Sequence, residues 1–295
     1  MCWGNRAVEI VFHIFIMVGI YAILALSLNL LIGYAGLFSV GHGAFYGIGA
    51  YAGALLSTRL GLPFWIEIVA ASAITGAVGY VIGRPILRLR DDNLALATFG
   101  LAVITFSILN NWDDLTRGPL GIRGIPKPTL FSIRIDQLWS YALLVAGCVG
   151  ITLLCIGRLT HSPFGKVLEA IREDDIAALA VGKNTTRFKV AAFVMSAFFA
   201  GLAGVLYAHY ATYIDPTSFV PGESFLIFSM VVFGGMGSNL GAMVGAAVLT
   251  TLPDLLRFAG LPGGIAAQMR DVIYGALIVI IINWRPQGLL GNTRR

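Results

Sequence analysis

The stretch from Ile10 to Thr58 reads IVFHIFIMVGIYAILALSLNLLIGYAGLFSVGHGAFYGIGAYAGALLST and contains no Lys, Arg, Asp or Glu. A helix that crosses a membrane needs about 20 predominantly apolar residues, so this stretch is long enough for two crossings. All backbone N–H and C=O groups must find partners within the hydrocarbon, which favours helices over irregular chain. The stretch therefore predicts an integral membrane protein with helical spans.

Similar apolar windows follow along the rest of the chain. They give about eight or nine hydrophobic segments in all, and the last of them can extend back towards Gly264. The further windows are Pro63–Gly83, which is interrupted only by Glu67, then Asn93–Trp112, Gln137–Gly157, Val190–Ile214, Ser224–Pro253 and Val272–Trp284.

The composition of the whole chain agrees with this interpretation. Hydrophobic residues make up 57% of the 295 residues and charged residues only 12%, with a mean hydropathy of +0.83. A soluble domain normally has about a quarter of its residues charged. The predicted fold class is all-α, a polytopic helical bundle of an integral membrane protein, with a single transmembrane domain over residues 1–295.

The net charge of +5 could indicate a nucleic-acid partner, but the Lys and Arg residues lie between the apolar windows and form no single patch. We interpret them as a topology signal and expect no nucleic acid. Residues 158–189 hold six basic residues and Arg84–Asp92 holds three, so both segments are predicted to be cytoplasmic. The same side is predicted for the C-terminal Arg285, Arg294 and Arg295.

This orientation places the segment of about 111–136 outside the cytoplasm. For the chain to return to the cytoplasm by Arg285, the window Ser224–Pro253 must cross the membrane twice or dip in and out. The side on which the N-terminus lies stays open.

Glycine-rich interruptions divide two of the apolar windows, one in each half of the chain. The first reads IGYAGLFSVGHG over Ile32–Gly43, and the second reads FGGMGSN over Phe233–Asn239. A pair of broken hydrophobic segments is the usual sequence pointer to a transport site near the middle of the bilayer. GxxxG spacings such as Gly49 and Gly53, or Gly241 and Gly245, also fit close helix packing without any substrate. Both interpretations stay open.

The candidate translocation pathway consists of glycines and small polar residues within the two interruptions. For the histidine among them, a structural hydrogen bond is the alternative role. The candidates are Gly33, Gly36, Ser39, Gly41, His42, Gly43, Gly234, Gly235, Gly237, Ser238 and Asn239.

Signatures of enzymes are missing from the sequence. A Walker A motif is not formed, because Gly182-Lys183 is followed by Asn184 and Ala177 stands where its first glycine should be. Ion-coupled carriers keep charged residues inside their spans, and here such residues are nearly absent. We therefore expect no catalytic residues, no metal and no other cofactor, and an energy source in another subunit or in the substrate gradient. We expect the acidic pairs to lie in loops: Asp91 and Asp92, Asp113 and Asp114, and Asp174 and Asp175.

The most specific cytoplasmic feature is the segment PFGKVLEAIREDDIAALAVGKN, Pro163–Asn184. Apolar residues recur at helical spacing from Val167 onwards, and Gly182 can terminate the helix. The pattern predicts a short amphipathic helix that projects from the membrane and suits the groove of a partner protein. An ordinary solvated loop is the alternative.

Several short motifs along most of the chain together resemble one family, the LivM-type permeases of bacterial branched-chain amino acid ABC importers. Urea and amide permeases share much of the pattern, so a permease for urea or short amides is an alternative. A secondary carrier or channel for small polar solutes is another. The motifs are Gly41–Tyr51, Leu87–Arg90, Leu94–Thr98, Asn110–Trp112, Gly118–Ile122, Ile125–Pro126, Ala170–Asp174, Ala192–Phe193, Gly201–Gly204 and Phe233–Gly237.

The resemblance implies a permease subunit that carries leucine, isoleucine and valine across the bacterial inner membrane. It implies three kinds of partner besides membrane lipid: a second permease subunit, two ABC ATPase subunits that hydrolyse ATP, and an extracytoplasmic substrate-binding protein. It also implies that about 158–189 is the ATPase-coupling loop. In ABC importers this loop carries an EAAxxxG motif, which Ala177, Ala178 and Gly182 match in spacing, although Ile176 occupies the Glu position. The coupling residues expected here are Gly165, Glu169, Ala170, Arg172, Glu173, Asp174, Ala177, Ala178 and Gly182.

The mechanism that follows from this resemblance is alternating access. ATP binding would close the ATPase pair, and a helix over Glu169–Gly182 would transmit that motion to the membrane helices. The carboxylate and ammonium groups of the substrate would be met weakly by half-helix ends and by Ser39, His42, Ser238 or Asn239, without a charged clamp.

Overall fold

A computed structural model describes residues 2–89, 91–130, 133–135, 137–258, 263–285 and 287–291. Four residues used in the predictions above lie outside the described residues. Arg90 ends the motif Leu87–Arg90, and Asp136 ends the predicted outer segment of about 111–136. The other two are the C-terminal Arg294 and Arg295.

The described chain is a bundle of apolar helices, as predicted. Six helical segments are long and apolar enough to cross a membrane, and shorter apolar helices cover Asn239–Pro253 and Val272–Ile281. The helix from His42 to Leu60 adds a further segment, which confirms the prediction of eight or nine. The long helices are α1 Cys2–Asn29, α2 His42–Leu60, α3 Phe64–Ile86, α4 Asp91–Asn111, α6 Leu138–His161, α9 Thr185–Ala211, α10 Pro221–Gly234, α11 Asn239–Phe258 and α12 Gly263–Trp284.

Short elements connect these helices at both ends of the bundle. The loop after α4 contains α5 Asp113–Thr116 and the two-residue strands β1 Ile122–Arg123, β2 Thr129–Leu130 and β3 Ile133–Arg134. Strand β4, Tyr213–Ile214, follows α9 and pairs with β1 in antiparallel register. At the opposite end, α7 Pro163–Glu173 and α8 Asp175–Ala180 lie between α6 and α9.

Helix α9 lies at the centre of the bundle, between α2 and α3. Small residues allow this close approach: a Cβ atom on Gly49 would overlap the backbone of Gly201, and one on Gly204 would overlap the backbone of Tyr46 and Ala50. Close backbone approach increases the dispersion contacts that hold helices together in lipid, where the hydrophobic effect contributes little. Gly49 of α2 and Gly204 of α9 therefore serve packing.

The first uncharged window forms two helices with an irregular connection, as the sequence indicates. Helix α1 ends in a π-helical turn over Leu30–Tyr34, and Gly36 adopts a left-handed conformation with φ of +67°. The chain then runs without regular structure to Gly41, and α2 begins at His42, which is fully buried. Helix α2 therefore starts inside the bundle and not at its surface.

The second interruption also separates two helices. Helix α10 ends at Gly234 and α11 begins at Asn239, so the window Ser224–Pro253 holds two antiparallel helices. They pack through glycine, because a Cβ atom on Gly241 or Gly245 would overlap the backbone of α10.

The predicted single helix over Glu169–Gly182 is wrong, because the chain breaks at Asp174. Asp174 is extended, and its Oδ1 accepts hydrogen bonds from the N–H groups of Ile176 at 2.9 Å and Ala177 at 3.0 Å. It thereby caps a new helix, α8, whose first N–H groups would otherwise lack partners. Gly182, with φ of +82°, follows the end of α8 as predicted.

Each acidic pair stands at the start of a helix, in or next to a connection between the long helices. Helix α4 begins at Asp91, α5 begins at Asp113, and α8 begins at Asp175. The N-terminus of a helix presents unpaired N–H groups and a partial positive charge, which favour carboxylates there. Each pair therefore marks the start of a helix.

The two ends of the bundle differ in the way that the charge distribution predicts. The loop after α4 packs against the C-terminal end of α9, where Ile125 N donates to Thr212 O at 3.1 Å. The segment with α7 and α8 lies at the other end of α9. Near the start of α1, His13 Nδ1 lies 2.6 Å from Tyr210 Oη, so α1 begins on the same side as the loop after α4. If α7 and α8 lie in the cytoplasm, as the charge distribution predicts, then α1 begins outside.

Candidate translocation and coupling site

The two glycine interruptions meet in space. A Cβ atom on Gly33 would overlap the backbone of Gly237, so only hydrogen atoms fit between these two residues. The side chain of Asn29 bridges the same contact: Gly237 N donates to Asn29 Oδ1 at 2.9 Å, and Asn29 Nδ2 donates to Asn239 Oδ1 at 3.1 Å. The two glycine interruptions, which lie in separate halves of the sequence, are thus in direct contact.

The predicted pathway residues fall into two groups in the structure. Gly33, Gly36 and the segment 234–239 lie at the junction of the breaks, next to α7. The second group, which contains Ser39 and the residues 41–43, lies deeper in the bundle against α4 and α10. The junction is therefore at the end of the bundle that carries α7, and the second group extends from it towards the interior.

The start of α2 is held by side chains of neighbouring helices. Val40 N donates to Thr98 Oγ1 at 3.0 Å, and Gly43 N donates to Ser224 Oγ at 3.0 Å. Both donors are backbone N–H groups that have no partner within a helix, because one lies in the irregular connection and the other in the first turn of α2. Both acceptors are buried hydroxyl groups. These bonds fix the position of the start of α2 inside the bundle.

His42 makes a structural hydrogen bond and also presents an open acceptor. Ser27 Oγ donates its proton to Leu24 O at 2.8 Å and lies 2.7 Å from His42 Nε2. Since a hydroxyl has one proton, Nε2 carries the hydrogen and donates to Ser27. In the neutral ring, Nδ1 is then an acceptor, and it has no hydrogen-bond partner among the described residues. The buried Ser39 Oγ nearby in sequence is also without a partner in that part of the chain.

Two acidic residues within the bundle were not recognised from the sequence. Glu67 of α3 lies 2.5 Å from His209 Nε2 of α9, and the two side chains are 1% and 2% exposed. His209 Nδ1 lies 2.7 Å from Pro126 O, so Nδ1 must donate, and one proton remains to be shared between Nε2 and the carboxyl group. In the second case, Tyr21 Oη donates to Glu223 Oε2 at 3.0 Å.

The near absence of charged residues from the spans therefore does not exclude buried polar contacts between the helices. A signal was present: Glu67 and His209 each stand alone in an apolar window, and an ionisable residue there normally has a buried partner. The sequence did not show which partner each would find, because the contact joins residues 142 positions apart.

The coupling segment presents an exposed surface at the end of the bundle. Ile176 of α8 and Val181, which follows α8, are 66% and 79% exposed. A cleft of about 380 Å³ between α7 and α8 is lined by Val167, Ala170 and Ala177. Exposed apolar side chains beside charged ones are typical of a protein interaction surface. Of the predicted coupling residues, Gly165 and Ala178 are buried, and the exposed ones are Glu169, Ala170, Arg172, Glu173, Asp174, Ala177 and Gly182.

Two polar contacts connect the coupling helices to the membrane helices. Lys189 Nζ of α9 pairs with Asp175 Oδ2 of α8 at 2.7 Å. On α7, Arg172 Nη1 donates to Gly33 O, and the Arg172 side chain packs on Gly36. The coupling segment thus reaches the first glycine interruption directly.

A segment after α12 covers the second interruption. Leu289 N donates to Phe233 O at 3.0 Å, and Leu290 N donates to Gly234 O at 2.9 Å. These carbonyl groups end α10 and have no partner within their own helix. No sequence pattern indicates this contact, since the segment is short and carries no periodicity.

Comparison with known proteins gives one consistent result. The family described as branched-chain amino acid transport system, permease component, matches residues 10–282. The chain is 38% identical to the high-affinity branched-chain amino acid transport system permease protein LivM of Salmonella typhimurium, over 94% of this chain and 69% of that protein. For LivM of Escherichia coli K12 the identity is also 38%, over 93% of this chain and 68% of that protein.

The similarity extends to a second kind of permease. The chain is 28% identical to the high-affinity branched-chain amino acid transport system permease protein LivH of Escherichia coli K12, over 92% of this chain and 91% of LivH. No solved structure matches the chain.

Proposed function

Because this chain belongs to the family of permease components of branched-chain amino acid transport systems, we propose that it is the membrane subunit of an ATP-driven importer in which α7 and α8 receive the motion of an ATPase. The whole chain, residues 1–295, acts as one permease domain in this proposal. Its cytoplasmic coupling segment is about 158–189, and its extracytoplasmic loop is about 111–136. The observation that carries the proposal is the exposed α7–α8 surface in contact with the first glycine interruption.

The proposed partners follow from the same premise. Similarity to both LivM and LivH supports a second permease subunit of related sequence. Two ATPase subunits would dock on α7 and α8, where Ile176 and Val181 offer apolar contact and Glu169 and Glu173 offer charge. A substrate-binding protein would dock on the loop after α4, at the other end of the bundle. ATP hydrolysis belongs to the partners.

The path of the substrate is proposed to follow the two interruptions. Leucine, isoleucine and valine carry an ammonium and a carboxylate group besides an apolar side chain, and the buried start of α2 offers complementary groups. The partial positive charge at this helix start favours the carboxylate, and the open acceptor His42 Nδ1 suits the ammonium group. Ser39 adds a hydroxyl group whose oxygen has no partner among the described residues.

The experiment that tests this function is ATP-dependent leucine uptake into vesicles that contain the complete assembly. The wild-type chain is compared with a variant that combines Glu169→Lys and Glu173→Lys, two exposed positions that leave the Asp174 cap intact. We expect leucine uptake and substrate-stimulated ATP hydrolysis to fall together, because like charges at the dock weaken ATPase binding. Copurification of the ATPase subunits measures that binding.

The matched control exchanges the same charges at the opposite end of the bundle, in the combination Asp113→Lys with Asp114→Lys. Copurification of the ATPase should be unchanged in this control. Full uptake with a bound ATPase in the Glu169 and Glu173 variant would move the dock elsewhere. Uptake by the chain alone without ATP would identify a carrier, and uptake of urea in place of leucine would identify the neighbouring class of permease.

A further inference from the structure

The contact between the two interruptions depends on one buried side chain, Asn29. This residue lies one helical turn before Gly33 and is 0% exposed. A backbone N–H can only donate, so the group that faces Gly237 N must be the amide oxygen, and Nδ2 is left to face Asn239 Oδ1. Asn29 therefore binds the second interruption at two points, immediately before and at the start of α11.

Arg172 reaches the same junction from the coupling segment. Its Nη1 donates to Gly33 O, and a Cβ atom on Gly36 would lie only 2.9 Å from Arg172 Cγ. Nη1 also lies close to Gly237, at 3.5 Å from the position that a Cβ atom would take there. One guanidinium group on α7 thus lies against both interruptions, while Asn29 links them to each other.

From this geometry we propose that Asn29 and Arg172 are positioning residues that make α7 and both glycine interruptions move together during transport. The inference rests on the proposed function, in which α7 follows the ATPase. A shift of α7 displaces the carbonyl group of Gly33 through Arg172. The second interruption must follow, because separation would leave the buried amide of Asn29 without its partners, which is costly.

A coupling role for Asn29 and Arg172 predicts a different experimental result from a purely structural role. A static contact would contribute to folding and assembly only. A coupling contact sets how much of the free energy of ATP hydrolysis reaches the substrate path, so its loss changes the ratio of ATP hydrolysed to leucine imported. That ratio is measured on assembled complexes, which removes differences in folding yield.

The test uses the complete importer in vesicles and measures this ratio for Asn29→Leu and for Arg172→Met. We expect ATP hydrolysed per leucine to rise about 10-fold in each, within the usual range of coupling between linked sites. The double variant should be no worse than the more affected single one, because both residues act in one connection. Arg172→Lys keeps a donor for Gly33 O and should restore part of the coupling.

Two controls match the chemistry of the substitutions. Arg88→Met removes an exposed arginine in the connection between α3 and α4, and Asn283→Leu removes an exposed asparagine near the end of α12. Both should keep the wild-type ratio. If Asn29→Leu does not accumulate, Asn29→Asp takes its place, since it keeps the acceptor for Gly237 N and loses the amide donor to Asn239.

The outcomes separate this inference from the proposed function. An unchanged ratio in assembled Asn29 and Arg172 variants overturns the coupling role. Additive effects in the double variant overturn the shared connection. If the wild-type assembly shows no ATP-dependent leucine uptake, the proposed function fails before any variant is compared.

Discussion

At the scale of single residues, the Glu67–His209 pair is the most consequential contact that joins distant parts of the chain. It connects α3 to α9, and through Pro126 O it also holds the loop after α4. Burial of both side chains removes water as an alternative partner. If one member is removed, the other is left as a buried polar or charged group without this partner. The resulting decrease in stability is larger than the stability that the pair itself contributes.

We predict that His209→Leu lowers the stability of the chain by about 3 kcal/mol, as expected when one partner of a buried pair is lost. The measurement is the midpoint of thermal unfolding in detergent, followed by the monodisperse peak in size-exclusion chromatography. The control is His161→Leu, because His161 is exposed and its Nδ1 bonds only within its own helix turn. Equal midpoints for the two variants would contradict a structural role for the pair.

At the scale of elements, packing glycines decide how closely α2 and α9 approach. Gly204 has no room for a Cβ atom, since the atom would overlap the backbone of α2. Gly157 of α6 has nothing within 4 Å of the same position. Both are helical glycines in apolar windows, so the sequence alone treats them alike.

Substitution by alanine should therefore have opposite signs at these two positions. Gly204→Ala forces two backbones apart and should cost about 1–3 kcal/mol. Gly157→Ala meets open space and should stabilise the helix by up to about 1 kcal/mol, because alanine has the higher helix propensity. Thermal midpoints of the two purified variants check this. A stabilising effect of equal size at both would show that helix propensity, and not packing, decides.

The coupling segment shows a different limit at this scale. Its periodicity correctly predicts helical structure, but it predicts one helix through Asp174 where the structure has two. Aspartate is tolerated within helices and preferred at their start, so the same residue fits both interpretations. The break is decided by the hydrogen bonds that Asp174 makes with Ile176 and Ala177, together with the ion pair that draws α8 to α9.

At the scale of the whole molecule, the order of helix directions gives a topology. From an outer start near His13, α1 runs to the α7 end of the bundle. Each long helix after it reverses direction, and the segment after α12 reaches the second interruption at the same end as α7. The positive-inside rule predicts that this end, which carries the basic segment of about 158–189, faces the cytoplasm.

We predict that cysteines introduced by Glu9→Cys and Leu120→Cys react with a membrane-impermeant maleimide on intact cells, in a background without the native cysteines. Lys183→Cys should react only after the membrane is permeabilised, since it lies at the α7–α8 end. All three positions are exposed in the structure. Labelling is measured as a mass shift on gels. Reaction of Lys183→Cys on intact cells would invert the topology.

The sequence by itself determined the class of the protein, the presence of about eight or nine hydrophobic segments and the place of both interruptions. These depend on the length and charge of local windows, because a span must satisfy its own backbone within the hydrocarbon. The family resemblance was confirmed by the match over residues 10–282. The pathway and coupling residues stay predictions.

Only the tertiary structure decided which distant residues meet. Gly33 could have packed on any small residue, and no local pattern distinguishes Gly237 as its partner. Asn29, Glu67 and His209 found partners through helix directions and rotations, which are set by the packing of the whole bundle and not by windows of 20 residues. Contacts across the bundle depend on the shape of all helices together, and for that reason they become visible only once the chain is folded.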